Sequence, residues 1–99
     1  MNMQAMLKQA QKLQSDMMKS QEEIYNMTFI GKSSMVDVTI NGKGEVQNVK
    51  FNVEEIEKED IEMLEDATML AFNDAKKQLD KTTEEKMGVY TKGIPGGLF

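Results

Sequence analysis

The 99-residue sequence contains no cysteine and no histidine. The first absence excludes disulfides and thiolate metal sites. The second removes the commonest general base and the imidazole metal ligand. Arginine is also missing, so all twelve basic residues are lysine. Lysine offers a point charge where arginine offers a planar fork, so any nucleic acid would be held mainly through phosphates, with weak sequence preference. Long apolar runs are lacking too: none approaches the ~18 residues of a membrane span. The N-terminus is Gln-rich and amphipathic and has no apolar core of signal-peptide type. These absences lead us to expect a single-domain cytosolic protein, with no cofactor, no small-molecule substrate and no membrane association.

Catalysis is not expected either. The 17 carboxylates include no pair flanked by the apolar residues that raise a pKa or by a second catalytic group type. Ser33 and Ser34 have no histidine to activate them. Glu54, Glu55, Glu57, Glu59 and Asp60 lack the Asp-x-Asp-x-Asp-Gly spacing of a calcium loop and read as a solvated face. Gly42-x-Gly44 does not open a helix, so it is no phosphate loop.

The net charge of −5 is unevenly spread. Residues 1–20 carry Lys8, Lys12 and Lys19 against Asp16, whereas residues 52–66 carry eight acids against Lys58. Both chain ends are mildly basic, which weakens a pI-based argument against polyanion binding.

What is present begins with a seven-residue repeat. Met3, Ala10, Met17 and Ile24 hold one position, and Met6, Leu13, Ser20 and Met27 hold another three residues on. This a/d pattern predicts a helix from about Met3 to Asn26, roughly 36 Å long. Its stripe is too long to bury on one small sheet, so it needs a partner helix or a second copy of the chain. The ten methionines, half of them between Met1 and Met18, fit a core or dimer seam and also an adaptable protein-binding groove.

Three strands follow. Met27–Ile30 is closed by Gly31-Lys32-Ser33-Ser34, and Met35–Ile40 alternates with Val36, Val38 and Ile40 on one face. Asn41-Gly42 predicts a tight hairpin with positive φ. The third strand runs about Glu45–Val53, with a bulge near Gln47-Asn48 because Val46 is out of phase with Val49, Phe51 and Val53. After an acidic connector with a helical turn around Ile56, a second helix spans about Glu59 or Asp60 to Lys86. Ile61, Leu64, Thr68, Ala71, Ala75 and Leu79 form its stripe, widened by Leu70 and Phe72. Past Leu79 the sequence turns polar, so this half should project from the sheet. The fold class is α+β: a three-stranded antiparallel sheet flanked by long N- and C-terminal helices. We expect one domain over residues 1–87 and a flexible tail over 88–99, with Leu98-Phe99 a candidate apolar hook.

Lys8, Lys12 and Lys19 fall within about 40° of one another on the first helix. They are interleaved with Gln4, Gln11 and Ser15, and no acid shares their stripe. This stripe suits either a solubilising face or a lysine rail along a phosphate backbone.

Four ordered stretches resemble the YbaB/EbfC family of nucleoid-associated proteins. They are Met6-Leu7-Lys8-Gln9-Ala10-Gln11-Lys12-Leu13-Gln14, Val38 through Val46 around the hairpin, Met63-Leu64-Glu65-Asp66 with Ala71-Phe72-Asn73-Asp74-Ala75, and Glu85-Lys86-Met87 with the Gly/Pro tail. The resemblance covers essentially the whole chain. It implies a small bacterial homodimer of cytoplasm and nucleoid, in which a central sheet carries helical arms that contact double-stranded DNA. Carried onto this sequence, the DNA-binding positions are Lys8, Lys12, Lys19, Lys76, Lys77, Lys81 and Lys86. Where relatives often mix Arg with Lys, this chain has none, which points to sequence-tolerant binding. The rival expectation is a Met-lined scaffold that recruits protein partners without nucleic acid.

Overall fold

The structure is a computed structural model and describes residues 2–91. Helix α1 spans Met3–Tyr25, and strands β1, β2 and β3 span Thr28–Lys32, Val36–Asn41 and Val46–Phe51. A 3-10 turn at Lys58–Asp60 leads into helix α2, Ile61–Thr91. The sheet is antiparallel throughout, in the order β1-β2-β3. The α+β architecture expected from sequence is therefore present.

One face of the sheet meets α2. Val36, Val38 and Ile40 of β2 point inward with Phe29 of β1, against Leu64, Ala67, Ala71, Ala75 and Leu79 of the helix. The alanines allow the helix to sit close, and Gly31 allows the closest approach. A Cβ at Gly31 would lie 1.8 Å from the Ala71 carbonyl oxygen. Gly31 is thus an interior strand residue and not the start of the turn, which falls at Ser33–Met35, where Ser33 N–H donates to Val36 O. In-strand glycine commonly marks such a backbone approach.

The hairpin also differs from expectation. Gly42 does not supply a positive φ; Gly44 does, at +84°. Gly44 N–H donates to Asn41 O, and the Asn41 side-chain oxygen accepts from the N–H groups of Lys43 and Glu45. This is a longer loop closed by a left-handed glycine. Gly42 instead packs against the last turn of α1, where a Cβ would sit 1.6 Å from Ile24 O. The bulge falls where the sequence phase requires it: Thr39 pairs with Asn48 and Ile40 with Val46, leaving Gln47 extra.

The two sheet edges are unlike. On β1, the outward Lys32 N–H donates to Asp74 Oδ2 at 3.0 Å, and Gln78 Nε2 donates to Ile30 O at 2.9 Å. Both side chains come from α2, so this edge is covered. No side chain among the described residues covers the outer edge of β3. Its apolar residues share the inner face yet stay open: Val46 is 52% exposed, Val49 44% and Phe51 44%. The sequence pattern marked them as core, but α2 is wide enough to cover only β1 and β2.

Past Leu79, α2 leaves the sheet and runs along α1. Ser20 and Tyr90 hydroxyls lie 3.3 Å apart, and Lys86 Nζ lies 3.3 Å from Glu23 Oε2. Rising numbers on one helix meet falling numbers on the other, so the pair is antiparallel. The projecting half thus has a partner within the chain. It is also longer than expected, reaching Thr91 and making residues 88–91 helical, where the sequence suggested tail. The tail beyond residue 91, with Leu98-Phe99, lies outside the described residues. Only the end of the heptad seam is covered: Ile24 is buried and Met17 half-buried, whereas Met3, Met6 and Leu13 remain exposed. Two residues expected on the α2 stripe, Ile61 and Leu70, are exposed, and Ala67 and Met87 are buried instead. Ile56 carries no helical turn; the turn lies two residues on, where Glu57 and Asp60 form a reciprocal capping box.

Candidate nucleic-acid interface

The seven lysines singled out by sequence do not share one surface. Lys8, Lys12 and Lys19 lie on α1, whose contact side is set by Met17, Ser20 and Ile24. At 100° per residue, the three lysines fall on the opposite side of the helix, turned outward. All three are exposed and form no ion pair among the described residues. α1 is well built to display them: Asn2 caps it by accepting from Gln4 N–H at 3.0 Å, and residues 3–15 are exposed all round.

Lys77 and Lys81 are exposed on α2, roughly opposite the side that carries Ala75 and Leu79. They form a second, separate group. Lys76 and Lys86 stand apart from both. Lys76 Nζ lies 2.6 Å from Asp80 Oδ1, and Lys86 reaches across to Glu23 on α1. Both ammonium groups are partly satisfied by carboxylates, so they are weaker candidates for phosphate than the α1 rail. Lys43 was missed by the sequence pattern. It stands at the hairpin tip with Nζ 5.5 Å from the centre of the Tyr25 ring. Its proximity to α1 depends on the Gly42 contact, which no spacing rule marks.

The charge segregation seen in sequence becomes a spatial one. α2 starts beside Phe51, where Phe51, Ile56, Ile61 and Leu64 line a hollow of about 270 Å³. The acidic residues 54–66 cluster at that end of the sheet. α1 joins the sheet at the other end, at Gly42, and leads away from it. The chain measures 70 × 24 × 14 Å, so the rail and the acidic block lie toward opposite ends of an elongated body. Among the described residues no group of three carboxylates is placed to hold a metal ion, and no helix is long and apolar enough to cross a membrane.

Comparison with known proteins gives a consistent result. Residues 1–94 match the YbaB/EbfC DNA-binding family. A nucleoid-associated protein of Lactococcus lactis subsp. cremoris (strain MG1363) is 50% identical over 97 residues, covering 96% of this chain and 98% of the relative. One from Lactococcus lactis subsp. lactis (strain IL1403) is 48% identical over the same span and coverage. One from Streptococcus pneumoniae (strain Hungary19A-6) is 43% identical, again covering 96% and 98%. With a family match over nearly its whole length and relatives this similar end to end, the chain belongs to the YbaB/EbfC DNA-binding family.

Proposed function

We propose that this protein is a non-enzymatic, nucleoid-associated DNA-binding protein of the bacterial cytoplasm, acting as a homodimer. The carrying observation is the α1 rail: Lys8, Lys12 and Lys19 are exposed, on one side, unpaired with acids, and remote from the carboxylate block. Ammonium groups so placed can replace counterions along a phosphate backbone without reading bases. Lys77 and Lys81 add charge on a second surface. Changed gene expression would follow from coating or bridging DNA.

The dimer reading is supported by the uncovered edge of β3. A second copy laid along that edge would extend the sheet, shield Val46, Val49 and Phe51, and leave the capped β1 edge outermost. Two protomers would then present two α1 rails, with six lysines in all. Neutralising six phosphates gives a log–log salt slope of about −5.

Exposed Met3, Met6, Leu13 and Met18 favour one other reading, a scaffold that recruits an apolar partner helix. Fluorescent duplex DNA separates the two. Under the DNA reading, Lys8, Lys12 and Lys19 changed together to Glu abolish the gel shift while sedimentation shows the same dimer. Unchanged affinity in that variant would remove the rail, and no wild-type binding below about 100 μM, beyond ordinary non-specific affinity, would favour the scaffold.

A further inference from the structure

One cleft of the fold lies outside the rail. It opens where the end of α1, the β2–β3 hairpin and the middle of α2 converge, and its volume is about 630 Å³. That is within the roughly 300–1,000 Å³ of small-molecule sites. Its floor is apolar, from the buried Ile24, Leu79 and Met87. One wall is the Tyr25 ring, whose hydroxyl accepts from Gln21 Nε2 at 2.8 Å, with Lys43 Nζ 5.5 Å from the ring centre. The other wall carries the Lys76–Asp80 pair. Two ammonium groups against one carboxylate give the cleft a positive excess in a chain of net charge −5.

We propose that this cleft binds a nucleotide. A flat aromatic base suits the exposed Tyr25 face above an apolar floor, because every base has a π-face that stacks on an aromatic side chain. The Lys43 ammonium now over that ring is mobile on its stem, so a base can take its place while the ammonium moves a few ångströms to the attached phosphate. The Lys76–Asp80 pair supplies a second cation for the phosphate and a carboxylate that can accept from a base amino group. The wall is preorganised. Gly42 packs directly on Ile24 O, which holds the hairpin backbone against the last turn of α1 and sets the Tyr25 and Lys43 backbones relative to each other. Preorganisation lowers the ordering cost of binding. The proposal goes beyond the duplex interface, since the cleft shares no residue with the α1 rail. It assigns Lys76, expected on the duplex, to a different ligand.

The nucleotide has two sources with the same chemistry: the free pool, or an unpaired position in a strand. The test is amide NMR of the full chain titrated with dAMP, with inorganic phosphate and with a single-stranded oligonucleotide. The expected result is that dAMP, the oligonucleotide or both shift the amides of Tyr25, Gly42 and Gly44, while inorganic phosphate at equal concentration does not. A dAMP response assigns a free nucleotide, and an oligonucleotide response alone assigns an unpaired base in a strand. Tyr25→Leu and Lys43→Ser should each weaken binding about tenfold or more, with the remaining spectrum unchanged. The triple Lys8/Lys12/Lys19→Glu variant should lose duplex binding and keep the cleft response. The proposal is overturned if phosphate alone reproduces the shifts, if neither dAMP nor the oligonucleotide moves them, if both cleft variants bind normally, or if the rail variant loses the cleft response.

Discussion

Replacing Gly31 by alanine adds one methyl group at the tightest point of the fold. The new Cβ would lie 1.8 Å from Ala71 O, 2.4 Å from Ala75 N and 2.9 Å from Ala75 Cβ. Two of these are helix backbone atoms, which no rotamer change can move. An unstrained carbon–oxygen contact needs about 3.3 Å, so α2 must retreat by roughly 1.5 Å. A gap of even 0.5–1 Å already forfeits about a quarter to a half of the dispersion energy across it. The gap would open over Val38, Ala71 and Ala75, all at most 1% exposed. Overpacking of this kind costs about 1–3 kcal/mol, sometimes more. An opposing effect exists: Gly→Ala where the backbone is unstrained stabilises by about 0.4–1 kcal/mol through the unfolded chain. Gly31 has no positive φ, so that gain applies in full. The net loss is then about 1.3 kcal/mol, or ~5–10 °C in melting temperature for a chain of this size. Circular dichroism melts at matched protein concentration measure it. Gly88→Ala is the control: a Cβ there meets no atom of the described residues within 4 Å, and a helical Gly→Ala should gain up to about 1 kcal/mol. A Gly31→Ala variant that melts at or above the wild type would refute the close-packing account of the helix–sheet contact.

Other perturbations probe separate parts of the account. Val49→Lys and Phe51→Lys each place a charge on the open β3 strip and should convert the proposed dimer to monomer by sedimentation velocity, without loss of helical signal. Removing both Asp74 and Gln78 side chains (Ala at each) uncovers the outward Lys32 N–H and Ile30 carbonyl, so light scattering on mild heating should rise faster than in the wild type. Glu23→Gln breaks an ion pair whose side chains are 63% and 35% exposed. It should change stability by less than about 1 kcal/mol, within a few degrees in a melt.

The elements and their order are legible in the sequence because periodicity reports burial. Val36, Val38 and Ile40 alternate and are all buried; Leu64, Ala71, Ala75 and Leu79 recur at helical spacing and are buried too. The out-of-phase Val46 marks the bulge for the same reason. The misreadings have a common physical cause. Gly31 and Gly42 look like turn signals, but each is glycine because another element's backbone touches it, and composition does not distinguish those uses. β3 carries the core pattern of a strand that the single chain leaves open, so its hydrophobicity reports a surface and not the interior. The limit of α2 at Thr91 was hidden by Gly88, a helix breaker by propensity that the packing of Met87 and Tyr90 on α1 overrides. For the candidate site, spacing was enough to place Lys8, Lys12 and Lys19 on one side of α1. The same spacing puts Asp80 four residues after Lys76, within reach of it, but it could not show that Lys86 meets Glu23, a contact between residues far apart in sequence.

The central claim is that lysines on α1 hold the DNA backbone, and the salt dependence of duplex binding tests it most directly. Fluorescence anisotropy of one labelled duplex, measured across a range of salt concentrations for the wild type and for the Lys8/Lys12/Lys19→Glu variant, gives the two slopes. The account predicts a wild-type log–log slope near −5, sequence-tolerant binding, and loss of measurable binding in the variant with the proposed dimer intact. A wild-type affinity indifferent to salt, or a variant that retains both the affinity and the slope, would contradict it.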